Sequence, residues 1–403
     1  MKRRVISLVA AAALVGGMVA AGTAHAGTVA TKGDTNISVY GFVRADFTWS
    51  KKMGTNTTYY NNVANESSAG GTAEAKQNKT YFKATGRWTR IGLKLNTPDI
   101  GVSGKIEADF AGKSGTDKSL RLRKAYLQHD IENYYVRVGK DANFLNQGTY
   151  TIMPIGMAGF GWSGNDSYFV RKVQAGGTFD LGQVTLIPEV AAQEMKGYVT
   201  GTGGLVVNRT TMPGVAGKLT GKIKTYFGSP ITVYAGYGYE AVKLAKTSEE
   251  KKKHFDIVTA GLAVPINWIT LKADYNYFKG ATGMMALNSS SRKPPSFYVE
   301  DDDVKATKGH SWHVGAKITP IPQFAAWGGY AMTKIKDSDK VRAGAGTDIV
   351  KKNEAYYIGG SVKTTKVTSI AFEYERPKTT YQLRSGTKKD KGSQYSLVFK
   401  YNF

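Results

Sequence analysis

Bases and carboxylates recur two residues apart along this chain: Arg44 with Asp46, and Lys105 with Glu107 and Asp109. Two apart is the spacing of neighbours on one face of a β-strand. Arg90, Lys94, Arg137 and Arg171 fall on similar alternating segments, as do Lys218, Lys222, Lys224, Lys272 and Lys317. A guanidinium is a planar fork that grips a carboxylate or phosphate through two parallel hydrogen bonds, and a lysine adds a point charge. Such groups gathered on one face concentrate anions; they do not by themselves break bonds. Arg44, Arg90, Arg137 and Arg171 are the leading candidates. Asp46, Glu107, Asp109 and Glu189 are the acids that would stand opposite, pair with them and set up a transverse field. The same bases could instead form lateral salt bridges or sit at a rim against lipid phosphates, and for any single residue both roles stay open.

Reactive chemistry is thin elsewhere. There is no Cys, so there is no disulfide framework, thiolate metal site or haem attachment. His129, His254, His310 and His313 show no metal-ligand spacing, and on a strand His310 and His313 point to opposite sides. Glu300-Asp301-Asp302-Asp303 offers the oxygen ligands that Ca²⁺ takes but not the spacing of an EF-hand loop, so a solvated acidic loop is the plainer reading. No nucleophile motif accompanies the histidines. The expectation is no catalytic residue, no metal and no cofactor.

The elements that must position these side chains are strands. At 393–403, Tyr395, Leu397, Phe399, Tyr401 and Phe403 alternate with Gln394, Ser396, Lys400 and Asn402, and only Val398 breaks the polar set. That is the period of a strand with one apolar face and one wet face, and about ten residues suffice to cross a bilayer at a tilt. The same rhythm places strands at 34–50, 80–96, 102–110, 118–129, 134–139, 167–180, 183–194 and 213–227. It continues at 231–242, 254–264, 268–279, 311–319, 324–334, 354–363, 367–376 and 393–403. In 118–129, Arg121 and Arg123 share parity with Ala125 and Leu127, which a register break or a protomer contact would explain. Short turns alternate with longer polar loops, among them those holding Lys251-Lys252-Lys253 and Lys388-Lys389. Trp49, Tyr134, Tyr239, Trp268, Tyr277, Trp312, Tyr357 and Tyr401 lie near strand ends, as an interfacial girdle would. The expected fold is all-β, a sixteen-stranded transmembrane antiparallel barrel. A β-sandwich or propeller lacks support, because no blade repeat is visible.

The chain's two ends and its charge add context. Residues 1–26 read as an export leader: Lys2, Arg3 and Arg4, an apolar stretch, then Ala24-His25-Ala26. Residues 27–403 then form a single barrel domain. No run of eighteen apolar residues follows, and a mean hydropathy of −0.32 suits strands that are only half apolar. The formal charge is +24; without the leader's three bases it is +21, from 52 basic and 31 acidic residues. A narrow passage lined by one sign concentrates the opposite ion, and rings of Arg and Lys select anions and phosphates. Export and the membrane pattern speak against nucleic acid as the partner of this charge. One loop, 142–166, stands apart: Tyr150, Met153, Phe160 and Trp162 make it far more apolar than the others, so it should pack inside something.

Val39-Tyr40-Gly41-Phe42-Val43-Arg44, Arg90-Ile91-Gly92-Leu93-Lys94, Leu122-Arg123-Lys124-Ala125-Tyr126 and the terminal Phe403 carry a family likeness. The chain resembles Gram-negative outer-membrane porins of the trimeric sixteen-stranded type and, more loosely, DcaP-like porins. The resemblance implies an outer-membrane location, a homotrimer in contact with lipid and lipopolysaccharide, and a terminal strand that serves as an export and assembly signal. It implies that segment 142–166 folds into the lumen as the constriction, and that small hydrophilic solutes, anions favoured, diffuse through. It implies no enzymatic activity. A surface receptor or adhesin with a plugged lumen is the rival among binding proteins, and a barrel hydrolase the rival among enzymes.

Overall fold

The computed structural model describes residues 28–32, 34–52, 80–112, 119–145, 169–194, 205–210, 212–246, 249–285, 287 and 294–403. The export leader expected at 1–26 lies outside them. Sixteen antiparallel strands form one closed barrel, and the described residues include three further short strands outside the ring. The first half of the ring is β1 (Thr35–Lys51), β2 (Thr80–Thr85 continued by Arg90–Thr97), β3 (Val102–Asp109), β4 (Arg121–Ile131), β5 (Tyr134–Ala142), β6 (Phe169–Gly177 and Phe179–Asp180), β7 (Val184–Gln193) and β8 (Leu205–Thr210 and Gly214–Ile223). The second half is β9 (Ile231–Lys246), β10 (Glu249–Ile266), β11 (Ile269–Lys279), β12 (Lys308–Ile321), β13 (Phe324–Ile335), β14 (Ile349–Lys363), β15 (Thr368–Leu383) and β16 (Gly386–Lys391 and Ser393–Asn402).

The seam joins the last strand to the first, from Phe42 opposite Asn402 to Lys51 opposite Ser393. Closure matters because lipid offers no hydrogen-bond partner, and each orphaned backbone group there costs several kcal/mol. The chain end is part of the seam. Gly41 N–H donates to the Phe403 carbonyl at 3.1 Å, and Phe403 N–H returns the bond at 3.2 Å. A Cβ at position 41 would lie 2.8 Å from the Phe403 ring and 2.3 Å from the Arg90 carbonyl, so only glycine fits.

Alternation separates the two faces. Val43, Ile91, Leu93, Ile106, Leu127, Val136, Val138, Val190, Leu219, Val233, Leu262, Val314, Ile358 and Phe372 are exposed on the outside. The side chains between them point inward and are largely polar. Among the described residues no helix is long and apolar enough to cross a membrane; the crossing elements are strands. Val398, the apolar exception on β16, faces inward and packs with Trp327, Tyr357 and Ala371.

The structure alters several sequence-based expectations. The segments expected as loops around Lys251-Lys252-Lys253 and Lys388-Lys389 are strand. β9 and β10 stay paired up to Lys246 opposite Glu249, and β15 and β16 up to Leu383 opposite Gly386. Beyond the apolar belt both faces are wet, so the alternation of apolar residues fades while the ladder continues. Tyr357 is not in a girdle: it points inward and is 2% exposed. The conflict in β4 is a register break. Glu107 pairs with Lys124 but Ala108 with Leu122, which leaves Arg123 as the extra residue of a bulge. The bulge turns Arg121, Arg123 and Lys124 all inward.

At the long-loop end an apolar core fills the inner wall. Phe255, Ile257 and Phe278 of β10 and β11 are covered by Met284, Met285 and Leu287, by the hairpin Phe297–Glu300 with Asp303–Ala306, and by Val341 of helix α1 (Ser338–Ala345). Asp301 and Asp302 form the tip of the hairpin, with φ of 49° and 58°. The acidic run 300–303 is thus a tight turn, and its outer members are ion-paired: Glu300 with Lys340 at 2.8 Å and Asp303 with Lys305 at 2.9 Å.

Candidate functional site: the lumen wall

The ladders place the predicted bases on one arc of the inner wall. Arg44 lies opposite Lys400, Arg90 opposite Asp109, and Lys94 opposite Lys105. Arg121, Arg123, Lys124, Arg137, Lys172, Lys218 and Lys222 continue the arc through β8. The carboxylates on the same arc are Asp46, Glu107, Asp109, Asp141 and Glu189, so these bases outnumber them by more than two to one.

The carboxylates pair with the bases, as the sequence reading expected, but from among them on the same arc and not from the opposite wall. Asp109 is fully buried between two guanidiniums: Arg121 at 2.7 Å and Arg123 at 2.8 Å. Arg123 also donates to Glu107 at 2.8 Å, and Arg90 and Lys105 each stand 3.8 Å from that carboxylate. Arg44 is bound to Asp46 at 2.9 Å, Arg137 and Lys124 to Asp141 at 2.6 and 2.8 Å, and Lys218 to Glu189 at 2.8 Å. Each acid thus fixes one or more basic side chains against the wall, and the surplus of positive charge faces the lumen. Aromatic rings hold others: the Lys94 and Lys105 ammoniums lie over the Tyr40 ring at 5.0 and 4.5 Å, and Lys400 lies over Phe42 at 4.3 Å.

One candidate is misplaced. Arg171 pairs with Lys140 across the ladder, between inward Gly139 and Lys172, and so faces outward. Its side chain is 71% exposed and its guanidinium meets Glu194 at 2.6 Å. The sequence offers Arg171 and Lys172 side by side on a strand with apolar residues of both parities, and alternation alone does not say which base points inward. Lys224 also leaves the wall, reaching Asp180 beyond the end of β8 with both groups exposed.

The other half of the ring has a different chemistry. Tyr234 donates to Asp274, whose second oxygen lies 3.2 Å from His313 Nδ1, and His313 meets the Tyr357 hydroxyl on its other nitrogen. Glu373 accepts from the Trp327 indole at 2.6 Å, and Glu375 follows it on the same face; both are fully buried. Lys272 and Lys317 face inward nearer the short turns. This half of the ring thus mixes buried acids with two inward lysines, whereas the first arc carries a clear excess of bases. Sequence reasoning missed Arg121, Arg123, Lys124, Asp141, Lys172 and Lys400 on the first arc, and Asp274, His313, Glu373 and Glu375 on the second. The parity conflict in β4 was the available signal for Arg121 and Arg123.

The apolar segment after β5 starts inside the barrel. Leu145 is fully buried against Gly236, where a Cβ would come within 2.8 Å of the leucine. Lys218 donates to the Phe144 carbonyl at 3.2 Å, Lys172 to the Ala142 carbonyl at 2.8 Å, and Gln193 to the Asn143 side chain at 3.2 Å. At the far end, the Phe169 ring lies 4.4 Å beneath the Arg123 guanidinium. Tyr150, Met153, Phe160 and Trp162 lie outside the described residues.

A closed sixteen-stranded ring, apolar outside and charged within, matches solved structures over almost its whole length. The outer membrane channel DcaP of Acinetobacter baumannii superposes with a TM-score of 0.69 at 22% identity, covering 93% of this chain and 99% of that one. The fold is that of an outer-membrane porin. The anion-selective porin of Comamonas acidovorans gives 0.57 at 12% identity, covering 92% and 100%. The OmpT outer membrane protein of Vibrio cholerae, solved in a trimer form, gives 0.54 at 12%, covering 92% and 99%. No family model matches the sequence, and no curated protein matches it. The likeness is one of fold, and the apolar belt of the ring is the feature such barrels turn toward lipid.

Proposed function

We propose that the chain is a passive diffusion channel for small hydrophilic solutes and that it favours anions, carboxylates and phosphate-like ions among them. The observation that carries this reading is the basic arc of the inner wall, where Arg44, Arg90, Lys94, Lys105, Arg123, Arg137 and Lys218 outnumber the carboxylates that fix them. Charge of one sign on a low-dielectric wall raises the local concentration of its counter-ion. Across the ring from the arc's centre, β11 contributes the carboxylate of Asp274. No bond-making step and no cofactor is required. The apolar segment after β5 would narrow the lumen, since its first residues already pack on the inner wall. We further propose a homotrimer, and removal of residues 1–26 on export.

The test is electrical. Purified protein in a planar bilayer across a KCl gradient should show discrete conductance steps and a reversal potential displaced toward that of chloride. A displacement toward potassium would remove the anion preference and leave a channel. Absence of any conductance from folded, heat-modifiable protein would favour a plugged receptor.

A further inference from the structure

On the inner face of β15 a buried acid lacks a counter-charge. Glu375 is 0% exposed, and among the described residues neither of its carboxylate oxygens receives a hydrogen bond and no base pairs with it. The group that acts on it most directly is a second carboxylate, Glu373, two residues earlier on the same face and equally buried. The Trp327 indole donates to one oxygen of Glu373 at 2.6 Å, but an indole brings no charge. Buried charges in proteins are paired with an opposite charge or hold a metal.

The neighbouring strand supplies oxygen and no base. Across the ladder Glu375 faces Gln394, and Glu373 faces Ser396. Gln394 is also 0% exposed. Its amide nitrogen donates to Ser396 Oγ at 3.4 Å, and its carbonyl oxygen is left without a donor. Turning the amide over would give Glu375 one donor and would not offset its charge. On the far side of Gln394 lies Ser50 of β1. The inward bases of β1 and β16 stand to either side of this group: Arg44 opposite Lys400 toward the short turns, and Lys388, 3.8 Å from Asp390, toward the long-loop end.

We propose that Glu373, Glu375 and Gln394 bind a Ca²⁺ ion on the lumen wall. Ca²⁺ takes carboxylates, side-chain carbonyls and water in a flexible shell, and these three residues offer the first two kinds from adjacent strands. The ion would tie β15 to β16 beside the seam that closes the ring. An ion that binds the folded barrel and not the unfolded chain stabilises it by mass action. The inference rests on the fold and not on the channel reading, so ion binding and conductance test separate claims.

The experiment uses the full barrel in detergent, stripped with EDTA. Tb³⁺, a luminescent stand-in for Ca²⁺, is titrated in with tryptophan excitation, for which Trp327 is the adjacent antenna. Unaltered protein should give a saturable signal that Ca²⁺ reverses, retain one Ca²⁺ per chain on equilibrium dialysis, and unfold at a higher temperature in Ca²⁺ than in EDTA. Glu375→Gln keeps the shape without the charge. In EDTA it should form a heat-modifiable barrel at least as stable as the unaltered one, and it should lose the signal, the retained ion and the gain in unfolding temperature. Gln394→Met, which removes only the amide, should fold and weaken Ca²⁺ retention. Failure of the unaltered protein to retain Ca²⁺ would overturn the proposal and leave two carboxyls sharing a proton. Undiminished retention by Glu375→Gln, or by Gln394→Met should the first variant not fold, would equally overturn it, since the ion would then sit elsewhere.

Discussion

A buried carboxylate between two guanidiniums is the tightest electrostatic feature of the wall, and Asp109 is that carboxylate. Asp109→Asn keeps the shape and removes the charge, leaving Arg121 and Arg123 with one fewer counter-charge. Breaking a buried pair in this way costs about 3–5 kcal/mol. The variant should unfold at a clearly lower denaturant midpoint in detergent, and the channels that do form should prefer anions more strongly. Arg90 and Arg171 test placement. A unit charge at about 4 Å in water is worth about 1 kcal/mol, which bounds its effect on a permeability ratio near five-fold. Arg90→Ala should lower the anion-to-cation ratio by about two- to five-fold, measured by reversal potential, whereas Arg171→Ala, on the outer face, should leave it unchanged. The contrast shows what alternation can and cannot deliver. Arg44, Lys94 and Arg137 each sit between two apolar residues, and Arg90 and Lys105 each precede an isoleucine, so their faces were legible. Arg171 adjoins another base, and only the ladder to Lys140 decides its side.

At the scale of elements, the β4 bulge is the feature most directly tied to the site. Without Arg123 the strand would alternate regularly, with Arg121 and Lys124 inward and Leu122 outward. A chain lacking Arg123 should therefore still form a heat-modifiable barrel, while Glu107 and Asp109 lose a shared partner and the anion preference weakens. If the deletion prevented folding, the bulge would be needed to close the ring and not only to add a base. The strands' existence and number were readable because lipid on one side and water on the other impose a strict period. Their ends were not: in β9, β10, β15 and β16 both faces are wet beyond the belt, and the cross-strand bonds that extend them leave no mark in a single sequence. The hairpin on the rim was equally hidden, and its acids were visible only as a run of charge. There the Lys305 and Lys253 ammoniums hold the Asp303 carboxyl down to about 2. A carboxylate depressed on folding stabilises above its unfolded value of about 4 and loses that contribution as pH falls toward 2. The hairpin should stay docked between pH 8 and 4, with protection of its amides from hydrogen exchange declining only below that window.

The whole molecule combines a belt, a ring and an internal field, and the field is the part that conditions can tune. Its basic arc spans β16 and β1 to β8, so each ion in transit passes a wall of fixed positive charge. Those charges act through water as well as through the wall. The Debye length is about 10 Å at 0.1 M salt and about 3 Å at 1 M. A lumen wider than a few ångströms is thus controlled by its wall charges in dilute salt and screened from them in concentrated salt. Buried pairs such as Arg123 with Asp109 are screened far less, so the wall itself keeps its structure across that range. The reversal potential for a fixed ten-fold KCl gradient should move toward zero as the mean concentration rises from 0.1 M to 1 M, while the unitary conductance rises less than in proportion. A selectivity that held constant over that range would mean that discrimination comes from close contact at the constriction, not from the field of the arc. The basic residues would then act as individual ligands rather than as a charged surface.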